Sequence, residues 1–175
     1  MAGVTSRSSW VPLWVHSNYS FLTGASHPDE LVQAAVDLGL TGMAITDTDS
    51  LAGIVQAREA AVRVGAVSGE EDPAHPFRFI VGARISVVNG QSESRPAGAS
   101  PSVLLFPMDR EGYGNLGELI SLGRLRGPKG YAGVTVDEIV SAAGGLALIL
   151  TEESVGFGPS PIPSPIPASG PIHTE

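Results

Sequence analysis

Short apolar segments and helical patterns alternate along most of this chain. Residues 42–45 (GMAI) and 146–150 (LALIL) are compact apolar runs with the length of buried strands. Apolar residues at helical spacing separate the strand-like runs from one another. Strands that alternate with helices are typical of parallel sheets and barrels, in which each helix crosses back over the sheet with right-handed geometry. The pattern therefore predicts an α/β fold with parallel strands and outer helices.

The predicted elements lie within one domain that has a tail at each end. Strands are predicted at residues 11–15, 42–45, 77–81, 85–88, 103–106 and 146–150, and helices at 28–38, 51–64, 111–125 and directly after a capping-box match at 135–138. From residue 156 the chain repeats PSPI, and prolines at this density favour an extended polyproline conformation. We expect an N-terminal tail at 1–10, a domain at 11–154 and a Pro/Ser-rich linker or disordered tail at 155–175.

Charge and the lack of cysteine restrict the possible functions. The 175 residues carry a formal net charge of -8, whereas an independent nucleic-acid-binding domain usually needs a basic face. No cysteine is present, so a metal site would have to use His, Asp and Glu. No apolar run approaches the roughly 20 residues of a membrane helix. We expect a cytoplasmic protein that contacts no membrane and that meets DNA only through a larger protein.

Several polar residues follow directly after predicted strands. His16, Asp47, Asp49 and Arg84 lie at such positions, and so does the pair at 152–153, which is Glu-Glu. In parallel α/β architectures the carboxyl ends of the strands meet at one rim, where functional side chains collect. We therefore expect these residues to lie close together in space.

Several separate motifs resemble those of one family. The strings HSNYSFLTGASHP, GMAITDTDSLAGI, IVGARISV and GRLRGPKGY, taken in this order, are similar to the N-terminal PHP (polymerase and histidinol phosphatase) domain of bacterial C-family DNA polymerases. Within that group the resemblance is greatest to the error-prone branch, and it runs from about Pro12 to Leu150. It implies a distorted (β/α) barrel, here incomplete or truncated. In PHP enzymes such a barrel holds divalent ions that activate water for phosphoester chemistry.

The resemblance also identifies the residues at the family's ligand positions. Trp14 and His16 occupy the two histidine positions of its H-x-H motif, and Thr23 occupies the position of the acid that follows. Thr48 stands for the histidine of a T-D-H-D motif, and Arg84 stands for the acid of G-x-E. Trp, Thr and Arg are poor ligands, and an arginine repels a cation. The resemblance thus implies a vestigial site without a tightly bound metal, comprising Trp14, His16, Thr23, Asp47, Thr48, Asp49 and Arg84.

Without a metal cluster these side chains are expected to serve the structure. We expect Trp14 to fill the volume of the lost site and to donate its indole N–H to an acceptor such as Asp47. His16 would pack beside Trp14. Asp47 and Asp49 would cap a helix that begins at Leu51, and Arg84 would form a salt bridge with one of them.

One local basic group stands apart from these residues. Arg124, Arg126 and Lys129 cluster in GRLRGPKGY. They would contact DNA or a partner carboxylate, or they would only stabilise the C-terminus of the preceding helix, where cations are favoured.

Three functions stay open at this point. The first is a degenerate PHP domain, a fragment or truncated form of an error-prone C-family polymerase active in DNA damage tolerance, which lacks the polymerase palm. Its role would be structural or docking, and its partner would be the rest of the polymerase or another subunit. The second is a stand-alone PHP phosphoesterase with Zn, Mn or Fe in a reduced site formed by His16, Asp47, Asp49 and the acids at 152–153. The third is a non-functional gene remnant.

Overall fold

The computed structural model describes residues 10–64, 77–90, 95–96 and 101–151 of the chain. Within these ranges lie four helices and seven strands, in the order α1 (Pro28–Asp37), β1 (Gly42–Ile45), α2 (Ile54–Arg63), β2 (Arg78–Val81), β3 (Ala83–Ser86), β4 (Arg95–Pro96), β5 (Ser102–Pro107), α3 (Arg110–Leu125), β6 (Tyr131–Ala132), α4 (Val136–Ser141) and β7 (Leu146–Leu150). The predicted tail at 155–175 and residues 1–9 lie outside the described residues.

The expected α/β class is confirmed, and the described strands do not close into a barrel, in keeping with an incomplete one. β1 and β2 pair in parallel. β3, β5 and β7 form a second sheet in that order, and both of its pairings are antiparallel. Strands β4 and β6 form a short antiparallel ladder.

The expectation of parallel strands therefore holds for β1 and β2 but not for the second sheet. No helix lies in the described part of the connection between β3 and β5. Antiparallel neighbours can be joined by a loop, whereas parallel neighbours need a crossover, usually a helix. The antiparallel pairing of β5 with β3 is of the kind that a loop can connect.

The segment at 11–15 lies beside β1 without forming the regular strand that we predicted. Ala44 N–H donates to the Pro12 carbonyl and Thr46 N–H donates to the Val15 carbonyl, both at 2.9 Å. The two donors are two residues apart, whereas their acceptors, Pro12 and Val15, are three apart. The segment therefore shifts by one residue relative to β1, as a regular strand would not. Val15 N–H bonds to the Thr46 hydroxyl at 3.1 Å, and proline has no N–H to offer. The expectation of a regular strand here was wrong.

Apolar clusters hold the strands in place, and the two larger ones among the described residues also involve helices. One packs α1 and α2 against β1 and β2, with Val32 and Ile45 fully buried. The other packs α3 against β3 and β5, and Leu116 and Leu119 of α3 are 0% and 3% exposed. Burying a side chain such as Leu116 contributes roughly 1.5–3 kcal/mol. These contacts fix the strand ends from which the polar residues project.

Helix α2 begins three residues later than its apolar pattern predicts. It starts at Ile54 with Gly53 as the N-cap, and no side chain caps it. A Cβ at Gly53 would lie 3.0 Å from the Tyr19 ring and 3.1 Å from Asp47 Oδ2, so the start of α2 packs directly against the polar site. The expectation that Asp47 and Asp49 cap a helix beginning at Leu51 was wrong.

The predicted capping box of α4 is confirmed. Thr135 N–H donates to Glu138 Oε2 at 2.8 Å, and Glu138 N–H donates to Thr135 Oγ1 at 3.3 Å. Gly39, which directly follows the helix predicted at 28–38, has a left-handed φ of 70°, as is common just after a helix. None of the helices in the described part of the chain is long and apolar enough to span a membrane.

Candidate functional site

The carboxylate of Asp47 anchors the loop that follows Val15. Asp47 lies just after β1 and is 1% exposed. Its Oδ1 accepts the Ser17 N–H and the Ser20 hydroxyl, each at 2.7 Å, and its Oδ2 accepts the Ser17 hydroxyl at 2.6 Å. Three short hydrogen bonds to a carboxylate compensate for much of the cost of burying its charge. Asp47 thus joins the end of β1 to the loop.

Asp49 makes a matching connection to β3. Ser86 donates its N–H to Asp49 Oδ1 at 2.8 Å and its hydroxyl to Oδ2 at 2.7 Å. The Asp49 backbone has a left-handed φ of 48°, a conformation that aspartate tolerates better than most residues. Its carbonyl accepts Arg124 Nε at 2.8 Å, and its N–H donates to the Arg84 carbonyl at 2.8 Å. Residues 46–49 (TDTD) are therefore hydrogen-bonded both to β3 and to α3.

Burial raises the pKa of Asp49 above its ordinary value of 3.8. Hydrogen bonds from the Ser86 N–H and hydroxyl oppose this increase, and the positive charges of Arg124 and Arg84 oppose it further. Desolvation is the largest of these effects because it disfavours the charged form of a buried carboxyl group.

Arg84 lies inside the site and not in solvent. It is 5% exposed, its N–H donates to the Asp47 carbonyl at 3.1 Å, and its Nε donates to Ser102 Oγ at 2.8 Å. No ion pair within the described residues joins Arg84 to Asp47 or Asp49, so the expected salt bridge was wrong: serine donors already fill both carboxylates. The charge of Arg84 acts on Asp49 through space.

Trp14 and His16 form a pair on the outer side of Arg84. Trp14 Nε1 donates to His16 Nε2 at 3.0 Å, and the two rings meet edge to face with centroids 6.2 Å apart. The guanidinium carbon of Arg84 lies 5.9 Å from the Trp14 ring centroid, within cation–π range. Packing of His16 beside Trp14 is confirmed. The expected bond from Trp14 to Asp47 was wrong because the indole N–H points to His16, and a side chain that is 44% exposed does not fill a buried site.

Thr23 and Thr48 occupy ligand positions according to the family resemblance, but neither side chain is placed to bind a metal together with the aspartates. Thr23 is exposed, and its hydroxyl donates to the Ser20 carbonyl at 2.9 Å. Thr48 N–H donates to Ser20 Oγ at 3.0 Å, and its own buried hydroxyl has no hydrogen-bond partner among the described residues. Thr48 also forms a parallel β-bridge with Arg84.

Four serines at the centre of the site were missed by sequence reasoning. Ser17, Ser20, Ser86 and Ser102 are all 2% exposed or less. Serine is abundant in loops and is seldom buried, so nothing in its local context distinguishes these four from the rest. A buried aspartate after a strand is the one available signal, since it requires donors in a neighbouring segment.

The donor set does not fit a metal cluster. Both carboxylates bond to serine hydroxyls and backbone N–H groups, and the Nε2 lone pair of His16 accepts the Trp14 N–H. Arg84 places a permanent positive charge beside them. In the described part of the chain no three His, Asp or Glu residues are grouped so that they could hold one ion. The acids at 152–153 lie outside the described residues.

The predicted basic group separates into different contacts. Arg124 donates to the Asp49 carbonyl, as described above. Arg126 donates through Nη1 to the Gly133 carbonyl at 3.0 Å and forms an ion pair with Glu138. Lys129 is exposed and lines a small surface cavity with Arg124 and Tyr131. Two of the three cations are thus used to hold the end of α3 to neighbouring segments.

Comparison with known proteins gives a consistent result. The error-prone DNA polymerase of Rhodopseudomonas palustris (strain BisB5) is 37% identical over 142 residues, which cover 81% of this chain and 11% of that protein. The error-prone DNA polymerase of Rhodopirellula baltica is 40% identical over 147 residues, which cover 83% of this chain and 11% of that protein. The chain therefore spans about a tenth of the length of these relatives.

A solved structure and a family profile complete the comparison. An amidohydrolase from Chromobacterium violaceum aligns with a TM-score of 0.46 and 24% identity, covering 66% of this chain and 33% of that one. The profile of the PHP domain matches residues 12–156, which include the whole polar site described above. This chain belongs to the PHP domain family.

Proposed function

We propose that this chain is a degenerate PHP domain of the error-prone DNA polymerase type, in which hydrogen bonds and not metal ions hold the strand-end site together. Its role is structural or docking within a polymerase assembly, and it has no phosphoesterase activity. One observation carries the proposal: both oxygens of the buried Asp47 carboxylate are occupied by donors from Ser17 and Ser20.

The charge at the site supports the same proposal. A PHP enzyme needs anionic or imidazole ligands to hold its divalent ions and to balance their charge, and the ions then lower the pKa of bound water. Arg84 brings a positive charge to the position where the family has an acid, and it is buried beside Asp49. A divalent cation would meet repulsion from Arg84 and would have to displace the serine donors of Asp47.

DNA synthesis would belong to the polymerase as a whole. The relatives are error-prone DNA polymerases of which this chain spans 11%, and a net charge of -8 does not favour independent DNA binding. We propose that the chain contributes to damage-tolerant synthesis in the cytoplasm only through contact with the rest of a polymerase or with another polymerase subunit.

The test is a measurement of metal content and hydrolysis on the purified full chain. After dialysis against Zn, Mn or Fe, elemental analysis is expected to find well below one equivalent of metal, with no hydrolysis of bis(p-nitrophenyl) phosphate. The matched comparison is the quadruple variant Trp14→His, Thr23→Asp, Thr48→His, Arg84→Glu, which restores the family's ligands and is expected to bind Mn or Zn more tightly in a calorimetric titration. One or more equivalents in the parent, with hydrolysis that a chelator abolishes, would replace this proposal with the phosphoesterase function.

A further inference from the structure

A small surface cavity lies between the end of α3 and β6. Its volume is about 180 Å³, and it is lined by residues from the end of α3, from the following loop and from β6, together with Asp49. Three of the lining side chains are hydrogen-bond donors: Arg124 and Lys129 are cations, and Tyr131 has a hydroxyl. The cavity therefore brings two positive charges together on a chain whose formal net charge is -8.

These donors are free to bind a ligand. Arg124 donates Nε to the Asp49 carbonyl at 2.8 Å, which holds its guanidinium in place, and its terminal amino groups make no hydrogen bond to the described residues. Lys129 and Tyr131 are exposed, and within the same part of the chain neither side chain has a hydrogen-bond or ion-pair partner. The guanidinium is thus oriented in advance, and three donor groups remain for a bound molecule.

Little negative charge opposes these two cations. Among the lining residues only Asp49 is acidic, and both oxygens of its carboxylate already accept hydrogen bonds from Ser86 of β3. The C-terminal end of α3 adds a partial charge of roughly -0.5, which weakens the binding of an anion. Two full positive charges exceed the sum of these contributions, so the cavity favours an anionic ligand.

We propose that this cavity binds a small anion of the phosphate class, either inorganic phosphate or the phosphoryl group of a small molecule. A phosphoryl group carries about -1.5 to -2 charges at pH 7 and has three acceptor oxygens, which match two cations and a hydroxyl. A carboxylate has a single charge and would leave one cation unbalanced. Sites for drug-sized ligands begin near roughly 300 Å³, so a cavity of about 180 Å³ holds one phosphate group and not a whole nucleotide.

A small phosphate suits the cavity better than the backbone of DNA does. Binding along a DNA strand requires an extended basic surface that neutralises successive phosphates, whereas this chain carries a net charge of -8. The two cations and the hydroxyl are in contact with water, so the affinity is modest. We expect a Kd on the order of 1 mM.

A chemical-shift titration of the full chain with inorganic phosphate tests the proposal. At neutral pH and constant ionic strength, the amide signals of residues 129–132 are expected to shift and to saturate. Lys129→Gln is expected to weaken binding about tenfold, Tyr131→Phe less than that, and Lys129→Arg least because it keeps the charge. Arg58→Gln is the matched control, since it removes one positive charge from an exposed position on α2, and it is expected to bind phosphate like the parent.

The amino group of Lys129 gives a second readout, because this is the only lysine in the sequence. Phosphate is expected to slow the acylation of Lys129 severalfold, whereas acetate or chloride at equal ionic strength is not. A parallel titration with glycerol phosphate identifies the source of the group: tighter binding than that of inorganic phosphate assigns the cavity to a phosphate ester.

Three results would overturn the proposal. They are no saturable shift up to about 20 mM phosphate, equal shifts with acetate, and shifts with single-stranded DNA but not with free phosphate. A Lys129→Gln variant that binds phosphate like the parent would also contradict it. None of these results depends on metal content or hydrolysis, so the proposed function is tested separately.

Discussion

Ser17 donates both its backbone N–H and its hydroxyl to the carboxylate of Asp47, at 2.7 and 2.6 Å, across 30 residues of sequence. Asp47 belongs to a motif that holds metal in PHP enzymes, according to the family resemblance. Here the same carboxylate fastens a loop to the end of β1. Substitutions at these residues test whether the network stabilises the fold and how its charges are balanced.

Removing the Asp47 carboxylate should destabilise the domain strongly. Asp47→Ala leaves the donors of Ser17 and Ser20 buried without an acceptor, and we expect the free energy of unfolding to fall by about 3 kcal/mol or more. Asp47→Asn keeps an acceptor and the side-chain shape, so its loss should be less than half as large. Urea denaturation of both variants checks this. Equal losses within about 0.5 kcal/mol would show that the acceptor kept by Asp47→Asn does not preserve the network.

Asp49 should make the stability of the domain depend on pH. Its pKa is raised in the folded state, so the folded chain keeps a proton at pH values where the unfolded chain has released it. Stability from this group is therefore fully present below 3.8 and is lost as the pH rises through the raised pKa. The difference in unfolding free energy between the parent and Asp49→Asn, measured in urea from acid to neutral pH, should shift in favour of the variant. A shift in favour of the parent would show that the pKa is lowered and not raised.

Arg84→Glu should be far more costly than a surface charge reversal. Arg84 is 5% exposed and bonds to Ser102, and a glutamate there would bring a third carboxylate near Asp47 and Asp49. We expect a loss of about 3–5 kcal/mol, as for the breaking of a buried charged network. The control is Arg58→Glu on the exposed face of α2, which should change stability by about 0.5 kcal/mol or less. Similar losses in the two variants, measured by thermal denaturation, would contradict the buried position of Arg84.

Two glycines of α3 should respond in opposite ways to alanine. A Cβ on Gly112 would lie 1.9 Å from the Gly145 carbonyl oxygen, so Gly112→Ala forces backbone segments apart and should cost about 2 kcal/mol or more. Apart from neighbouring backbone of α3 itself, nothing lies within 4 Å of a Cβ on Gly117, and Gly117→Ala should gain about 0.5–1 kcal/mol from helix propensity. Melting temperatures that move in the same direction for both would show that Gly112 has room for a side chain.

Local sequence patterns determined the elements that depend on local interactions. The bounds predicted for β1 and β7 agree with the structure, because short apolar runs between turn residues have few other places to go. The end of α1 just before Gly39 and the capping box at Thr135 and Glu138 were also predictable, since each is made by residues within a few positions of one another. The presence of polar residues at the strand ends could also be predicted, from the alternation of strands and helices along the chain.

The tertiary structure alone decided how these polar residues are paired. Asp47 bonds to serines 27 and 30 residues away and Asp49 to one 37 residues away, and such partners depend on how segments pack and on strand register. The sequence suggested helix caps and a salt bridge because those interactions are local or rest on opposite charge. Hydroxyl donors that are common in every loop carry no such signal until the chain has folded around them. The direction of β5 was decided in the same way, by long-range packing and not by local propensity.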